Sequence, residues 1–140
     1  MILLDANVIS EMLRPHGSEN VRRWLDAQPM RSVYLCAPVI GELRYGLELL
    51  EPSARRTRLE RAYEQIATEL FAGRILGFDR AAAECFGKLR AARRKMGKPI
   101  SAMDALIAAI AAANSMTLAT RNARDFEGLG LPLVNPFDVP

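Results

Sequence analysis

The chain has 140 residues, a length that fits one compact domain spanning 1–140 with a core that stands without disulfide or zinc staples. Half of the residues are hydrophobic, which excludes a disordered chain. The formal charge of +3 suits an anionic partner without demanding one.

Cys36 and Cys85 are the only cysteines, and they lack the CxxC spacing of a zinc or redox motif. Cys36 lies in the apolar stretch Val33–Ala37 and reads as a small core residue, so a reducing, cytoplasmic setting is expected. No basic leader precedes Asp5, and the longest apolar run, Ala105 to Ala113, is far short of the ~20 residues that cross a bilayer.

Ile2-Leu3-Leu4 is a continuous apolar run, the pattern of a strand buried on both faces. Trp24 and Leu25 belong to an amphipathic helix and read as core or dimer contacts. Val33 to Ala37 is a second buried strand, and Pro38 fits the first turn of a helix running to about Leu50. In that helix Val39, Leu43, Leu47 and Leu50 recur at helical spacing. A charged helix is expected from Ala54 to Leu70, then a short strand from Arg74 to Phe78. Asp79 caps the next helix, which ends near Gly97. Ala102 to Ser115 is a further helix, Thr117 to Thr120 a strand, and Leu133-Val134 a weaker one. Strands alternating with helices in this way predict an α/β sandwich around a mainly parallel sheet. Only short gaps separate the elements: Pro15 to Ser18, Glu51 to Ser53, and the loop from Arg121 to Gly130.

In parallel α/β folds ligands bind at the carboxyl ends of the strands. Four acids fall there: Asp5, Glu42, Asp104 and Asp125. Each also has an ordinary explanation. Asp5 suits a helix cap, a task that Asn7 could take instead. Glu42 suits the first turns of a helix, where the dipole favours an acid. No basic residue stands three or four positions from it, however, and Gly46 leaves the space beside it open. Arg44 and Glu48 form a plain surface pair. Asp104 opens a helix that is apolar all round, where an ionised carboxyl is costly unless paired, protonated or metal-bound. Asp125 reads as a loop acid paired with Arg121 or Arg124. Taken together the four converge on one sheet edge. Clustered carboxylates need a compensating cation, and oxygen-only ligands suit Mg²⁺ or Mn²⁺. Such an ion activates water and stabilises charge on a phosphate.

Arg90, Arg93 and Arg94 share a helix face by spacing and are candidates for contact with nucleic-acid phosphates or an acidic partner segment. Arg55, Arg56, Arg58 and Arg61 read as a solvated face, and His16, the one histidine, as a surface residue. No P-loop is present, Gly128-Leu129-Gly130 is too short for a dinucleotide fingerprint, and Asp5-Ala6-Asn7 lacks the second Asp of a haloacid-dehalogenase-type phosphatase.

Leu3-Leu4-Asp5-Ala6-Asn7-Val8-Ile9, Glu42-Leu43-Arg44-Tyr45-Gly46, Asp104-Ala105-Leu106-Ile107-Ala108-Ala109 and Thr120-Arg121-Asn122-Ala123-Arg124-Asp125-Phe126 follow one another in the order and spacing of a known family. Along nearly its whole length the chain resembles bacterial PIN-domain toxins of the VapC and FitB kind. Phe71-Ala72-Gly73-Arg74-Ile75-Leu76 resembles the FitB-like members in particular. The resemblance implies a five-stranded parallel sheet flanked by helices and a Mg²⁺- or Mn²⁺-dependent endoribonuclease. It also implies a homodimeric toxin bound by a cognate antitoxin that carries a DNA-binding domain. Asp5, Glu42 and Asp104 match the three core acids of the family. The fourth acidic position falls on Asp125 or on Asn122, with Asp125 ranked first. Thr120, Asn122 and Asn7 are supporting residues that position Asp5 or hold water. Two other readings stay open: a non-catalytic interaction module, and a metal-dependent phosphoesterase acting on DNA or a small ester.

Overall fold

Short apolar runs become parallel strands. In the computed structural model, which describes residues 1–138, five strands form one sheet: β1 (Ile2–Leu4), β2 (Val33–Cys36), β3 (Ile75–Leu76), β4 (Thr117–Ala119) and β5 (Leu133–Val134). Their order is β3-β2-β1-β4-β5, and every pairing is parallel. Leu3 lies between Tyr34 on one neighbour and Leu118 on the other. Leu3, Leu4, Leu35, Cys36, Leu118 and Ala119 have no exposed surface, as strands inside an α/β sandwich require. All five expected strands are present. The one expected at Arg74–Phe78 shrinks to Ile75–Leu76, because β3 is an edge strand with β2 as its one partner.

Six helices connect the strands: α1 (Ala6–Leu13), α2 (Glu19–Asp26), α3 (Ala37–Glu48), α4 (Ala54–Gln65), α5 (Arg80–Lys95) and α6 (Ala102–Ala113). The sequence reading leaves the stretch of α1 unassigned, although Val8 and Ile9 are fully buried on its inner face. Val8, Ile9, Met12 and Leu13 do recur at helical spacing, but over only two turns directly after a strand. Serines at 18, 53 and 101 and Asp79 cap α2, α4, α6 and α5 through side-chain acceptors. The helix expected to reach Leu70 is α-helical to Gln65 and continues as a π-turn over Ile66–Leu70. There the Phe71 N–H donates to the Ile66 carbonyl at 3.0 Å, and the Phe71 ring is wholly buried. Gly97 ends α5 at φ 73°, a left-handed position that suits glycine. Helix α6 packs against α5, and Ala105 and Ile107 to Ala111 are buried completely. Among the described residues no helix is long and apolar enough to cross a membrane.

The strand order sets the position of any ligand site. From β1 the chain steps outward to β2 and β3, then returns to the other side of β1 to lay down β4 and β5. The carboxyl ends of β1 and β4 therefore flank the topological switch point, where such sheets open a crevice. The residues immediately after them are Asp5 and Thr120.

Candidate active site

Asp5 is fixed on every side. Its N–H extends the sheet by donating to the Ala119 carbonyl at 2.9 Å. Its Oδ1 accepts from the Ala6 N–H at 2.7 Å, and its Oδ2 accepts from the Thr120 hydroxyl at 2.7 Å. Cap and site acid are thus the same carboxyl. Asn7 is not the cap of α1. Its Nδ2 donates to Asp5 Oδ2 at 3.4 Å, and its Oδ1 accepts from the Arg121 N–H at 3.1 Å, which ties α1 to the loop after β4. Thr120 is fully buried and also accepts from the Asn122 N–H at 3.1 Å. Asn122 itself is exposed.

Glu42 stands in the second turn of α3, and Asp104 in the first turn of α6, where its N–H donates to the Ser101 hydroxyl at 3.2 Å. Asp125 is exposed in a 3₁₀ turn, Ala123–Phe126, whose Phe126 ring anchors it in the core. Neither expected ion pair of Asp125 forms among the described residues. Arg121 instead approaches Glu11 at 3.7 Å and stacks over the Phe137 ring with its guanidinium 3.8 Å from the centroid.

Electrostatics joins the four acids. Burial raises the Asp5 carboxyl above its ordinary value, against the hydrogen bonds from Thr120, Ala6 and Asn7, and the charge of Asp125 adds to the rise. Burial likewise raises Glu42, with Asp5 and Asp104 contributing. Asp104 is raised by burial and by the charges of Asp5 and Asp125, while the Ser101 hydroxyl and the Arg93 cation act in the opposite direction. The structure therefore brings Asp5, Glu42, Asp104 and Asp125 into one electrostatic neighbourhood at the switch point. Among the described residues no three of them are drawn into closed ligating geometry. Like charges hold such side chains apart until a cation offsets them.

The donor chemistry fits a hard divalent ion. Burial pushes the nearby Cys36 thiol up to about 12, which keeps it neutral in the metal-free chain. The available donors are oxygens alone, the set that suits Mg²⁺ or Mn²⁺.

A groove of about 740 Å³ opens beside Glu42 and Asn7, between α1, α3 and α4. Leu13, Leu43, Leu47, Leu50 and Leu59 line it, with Arg14, His16, Arg55 and Arg58 adding basic groups. From the sequence His16, Arg55 and Arg58 are expected to be plain surface. The leucine spacing in α3 signals a buried face, and only the placement of α1 and α4 shows that part of it is open. Gly46 also lines the groove, and a Cβ there would meet nothing within 4 Å, in keeping with the space expected next to Glu42.

The basic face of α5 needs a correction. Arg90 and Arg94 are exposed, with Arg90 over the Phe86 ring at 5.4 Å. Arg93 does not share their solvent-facing surface: it is only 6% exposed, and its guanidinium is spent on backbone carbonyls. Positions three and four apart flank one face, but α6 packs on α5 and the loop after β4 meets the Arg93 guanidinium through the Asp125 and Glu127 carbonyls.

Five parallel strands between helices, with four acids at the switch point, define the class of molecule. The PIN-domain family model matches residues 2–130, and the chain belongs to the PIN-domain family. It is 43% identical to the toxin FitB of Neisseria gonorrhoeae, over 98% of this chain and 99% of that one. It is 38% identical to the VapC ribonuclease Y4jK of Sinorhizobium fredii, over 99% of each. Its fold matches the solved structure of FitAB bound to an IR36 DNA fragment with a TM-score of 0.93, at 42% identity, covering 100% of this chain and 98% of that chain.

Proposed function

We propose that this chain is a metal-dependent endoribonuclease that acts as the toxin of a toxin–antitoxin pair in the cytoplasm. The observation that carries the proposal is the set of buried and half-buried carboxyls at the switch point whose proton affinities are raised by burial and by one another. A site with no positive partner in contact has no reason to collect such charges unless it receives a cation. Asp5, Glu42, Asp104 and Asp125 would hold Mg²⁺ or Mn²⁺. When bound, such an ion supplies positive charge against a phosphate and lowers the pKa of water toward neutrality.

The chain's own groups do the rest. The Thr120 hydroxyl and the Ala6 N–H fix both oxygens of Asp5, so that the carboxylate is oriented before any ligand arrives. Asn7 holds the loop after β4 against α1, and with it the turn that carries Asp125. Hydrolysis of a phosphodiester in this setting needs no histidine or cysteine nucleophile. The naming of one relative as a ribonuclease and another as a toxin supports RNA as the substrate. The FitAB assembly on DNA supports a cognate antitoxin with a DNA-binding domain as the partner. Tyr45 on α3 and Leu49 at its C-terminal cap, 67% and 66% exposed, support a homodimer.

The test is incubation of the purified chain with a mixed RNA pool and a matched single-stranded DNA pool, in Mn²⁺ and in EDTA. RNA cut in Mn²⁺ and intact in EDTA is the expected result. DNA cut while RNA survives would replace the reading with a deoxyribonuclease. No cleavage of either pool by folded protein would leave an interaction module.

A further inference from the structure

Arg93 is the one residue of the basic face of α5 that turns inward. Burying a guanidinium is costly unless its donors are satisfied. Its Nε donates to the Lys98 carbonyl at 2.7 Å. Its Nη1 donates to the Asp125 carbonyl at 2.6 Å and to the Glu127 carbonyl at 3.3 Å. Among the described residues no carboxylate stands within ion-pair distance of it. One planar fork therefore bridges two segments that lie far apart in sequence. Lys98 begins the turn that leads through Ser101 into α6 and Asp104, and Asp125 to Glu127 belong to the turn after β4. Those two segments supply two of the four acids.

We propose that Arg93 is a positioning residue for the carboxylate site, locking the approach to Asp104 and the turn of Asp125 into one fixed relation through its three carbonyl bonds. The assignment rests on the reading that the acids hold a divalent ion. It replaces the role in RNA contact that the spacing of Arg90, Arg93 and Arg94 suggests. A lysine would keep the charge, but its single ammonium does not reproduce the two separate nitrogens, Nε and Nη1, that the planar guanidinium sets on the two segments.

The test uses the full chain with Arg93→Met, which keeps the length and the apolar stem, and Arg93→Lys, which keeps the charge. Mn²⁺ binding is measured by calorimetry at a temperature where each protein is folded, and RNA cleavage is resolved into kcat and KM. In Arg93→Met, Mn²⁺ affinity is expected to fall by about tenfold to a hundredfold, the usual effect of losing a group that orients metal ligands. kcat falls with it, KM for RNA stays near the parent value, and Arg93→Lys recovers only part of the loss. Parent-like Mn²⁺ affinity in folded Arg93→Met would overturn the proposal while leaving the metal site intact. A raised KM with unchanged kcat would overturn it too, in favour of direct RNA contact. Failure of the parent itself to bind Mn²⁺ would overturn the metal reading and this assignment together.

Discussion

Asp5 shows how a single carboxyl can satisfy two demands that look like rivals in the sequence. One oxygen caps α1 and the other accepts from Thr120, so the residue is held by local chemistry and remains part of the site. The expected consequence is sharp for Thr120, which is fully buried. Thr120→Val keeps the shape but deletes the bond to Asp5 Oδ2. RNA cleavage should fall by about tenfold to a hundredfold, as for other groups that orient metal ligands, while Thr120→Ser stays close to the parent. Equal rates for Thr120→Val and the parent would show that Asp5 needs no such support. Asp5, Glu42 and Asp104 are legible in the sequence because each is a polar residue at a strand end or near a helix start amid apolar runs, whereas Asp125 lies in a polar loop. Arg93 was misread for the opposite reason. Its spacing is that of a surface stripe, and its partners are backbone carbonyls, which carry no side-chain signature.

The order of elements was legible as well, because period-free apolar runs alternate with helical ones. What escaped were features decided by backbone geometry. The π-turn at Ile66–Leu70 differs from an α-helical turn by one residue in its hydrogen bonding, and no side-chain pattern marks it. The connection between α1 and α2 is a second case. A Cβ on Gly17 would lie 2.5 Å from the Glu11 carbonyl oxygen and 2.9 Å from Glu11 Oε2. Glu11 is itself buried, accepting from the Ser18 N–H at 2.6 Å and pairing with Arg14 at 3.1 Å. Gly17→Ala should therefore destabilise the fold by about 1–3 kcal/mol through overpacking, as read from urea unfolding, with Mn²⁺ affinity unchanged at temperatures where it is folded. A stability equal to the parent's would mean that the α1–α2 connection yields more easily than the contact distances imply.

Across the fold, one sheet with its switch point between β1 and β4 gathers acids from β1, α3, α6 and the turn after β4, and the metal-free protein must tolerate their repulsion. The sign of the pH effect follows. Asp5 and Asp104 are raised from the ordinary 3.8 and Glu42 from 4.5, so the folded state binds more protons than the unfolded one in the window above those values. Stability in EDTA should then fall as pH rises from about 4 through the raised values. In Mn²⁺ the trend should reverse over the same window, because only ionised carboxylates ligate and binding stabilises the fold. Melting curves at pH 5 and pH 7, with and without Mn²⁺, check both slopes. A metal-free protein more stable at pH 7 than at pH 5 would contradict the clustering of the acids. Glu42→Gln should also raise the melting temperature of the EDTA-treated protein at pH 7, by about 3 °C for each kcal/mol of repulsion relieved. How far the acids converge was not readable from their positions in the chain, since it depends on how α3 and α6 lean over the ends of β1 and β4.

The decisive measurement is the rate at which Asp104→Asn cleaves an RNA pool in Mn²⁺, beside the parent, with far-UV circular dichroism confirming that both are folded. A metal-ligand role predicts a folded variant with no cleavage above the EDTA background. Cleavage by Asp104→Asn at the parent's rate would mean that the acids at the switch point are not the catalytic centre.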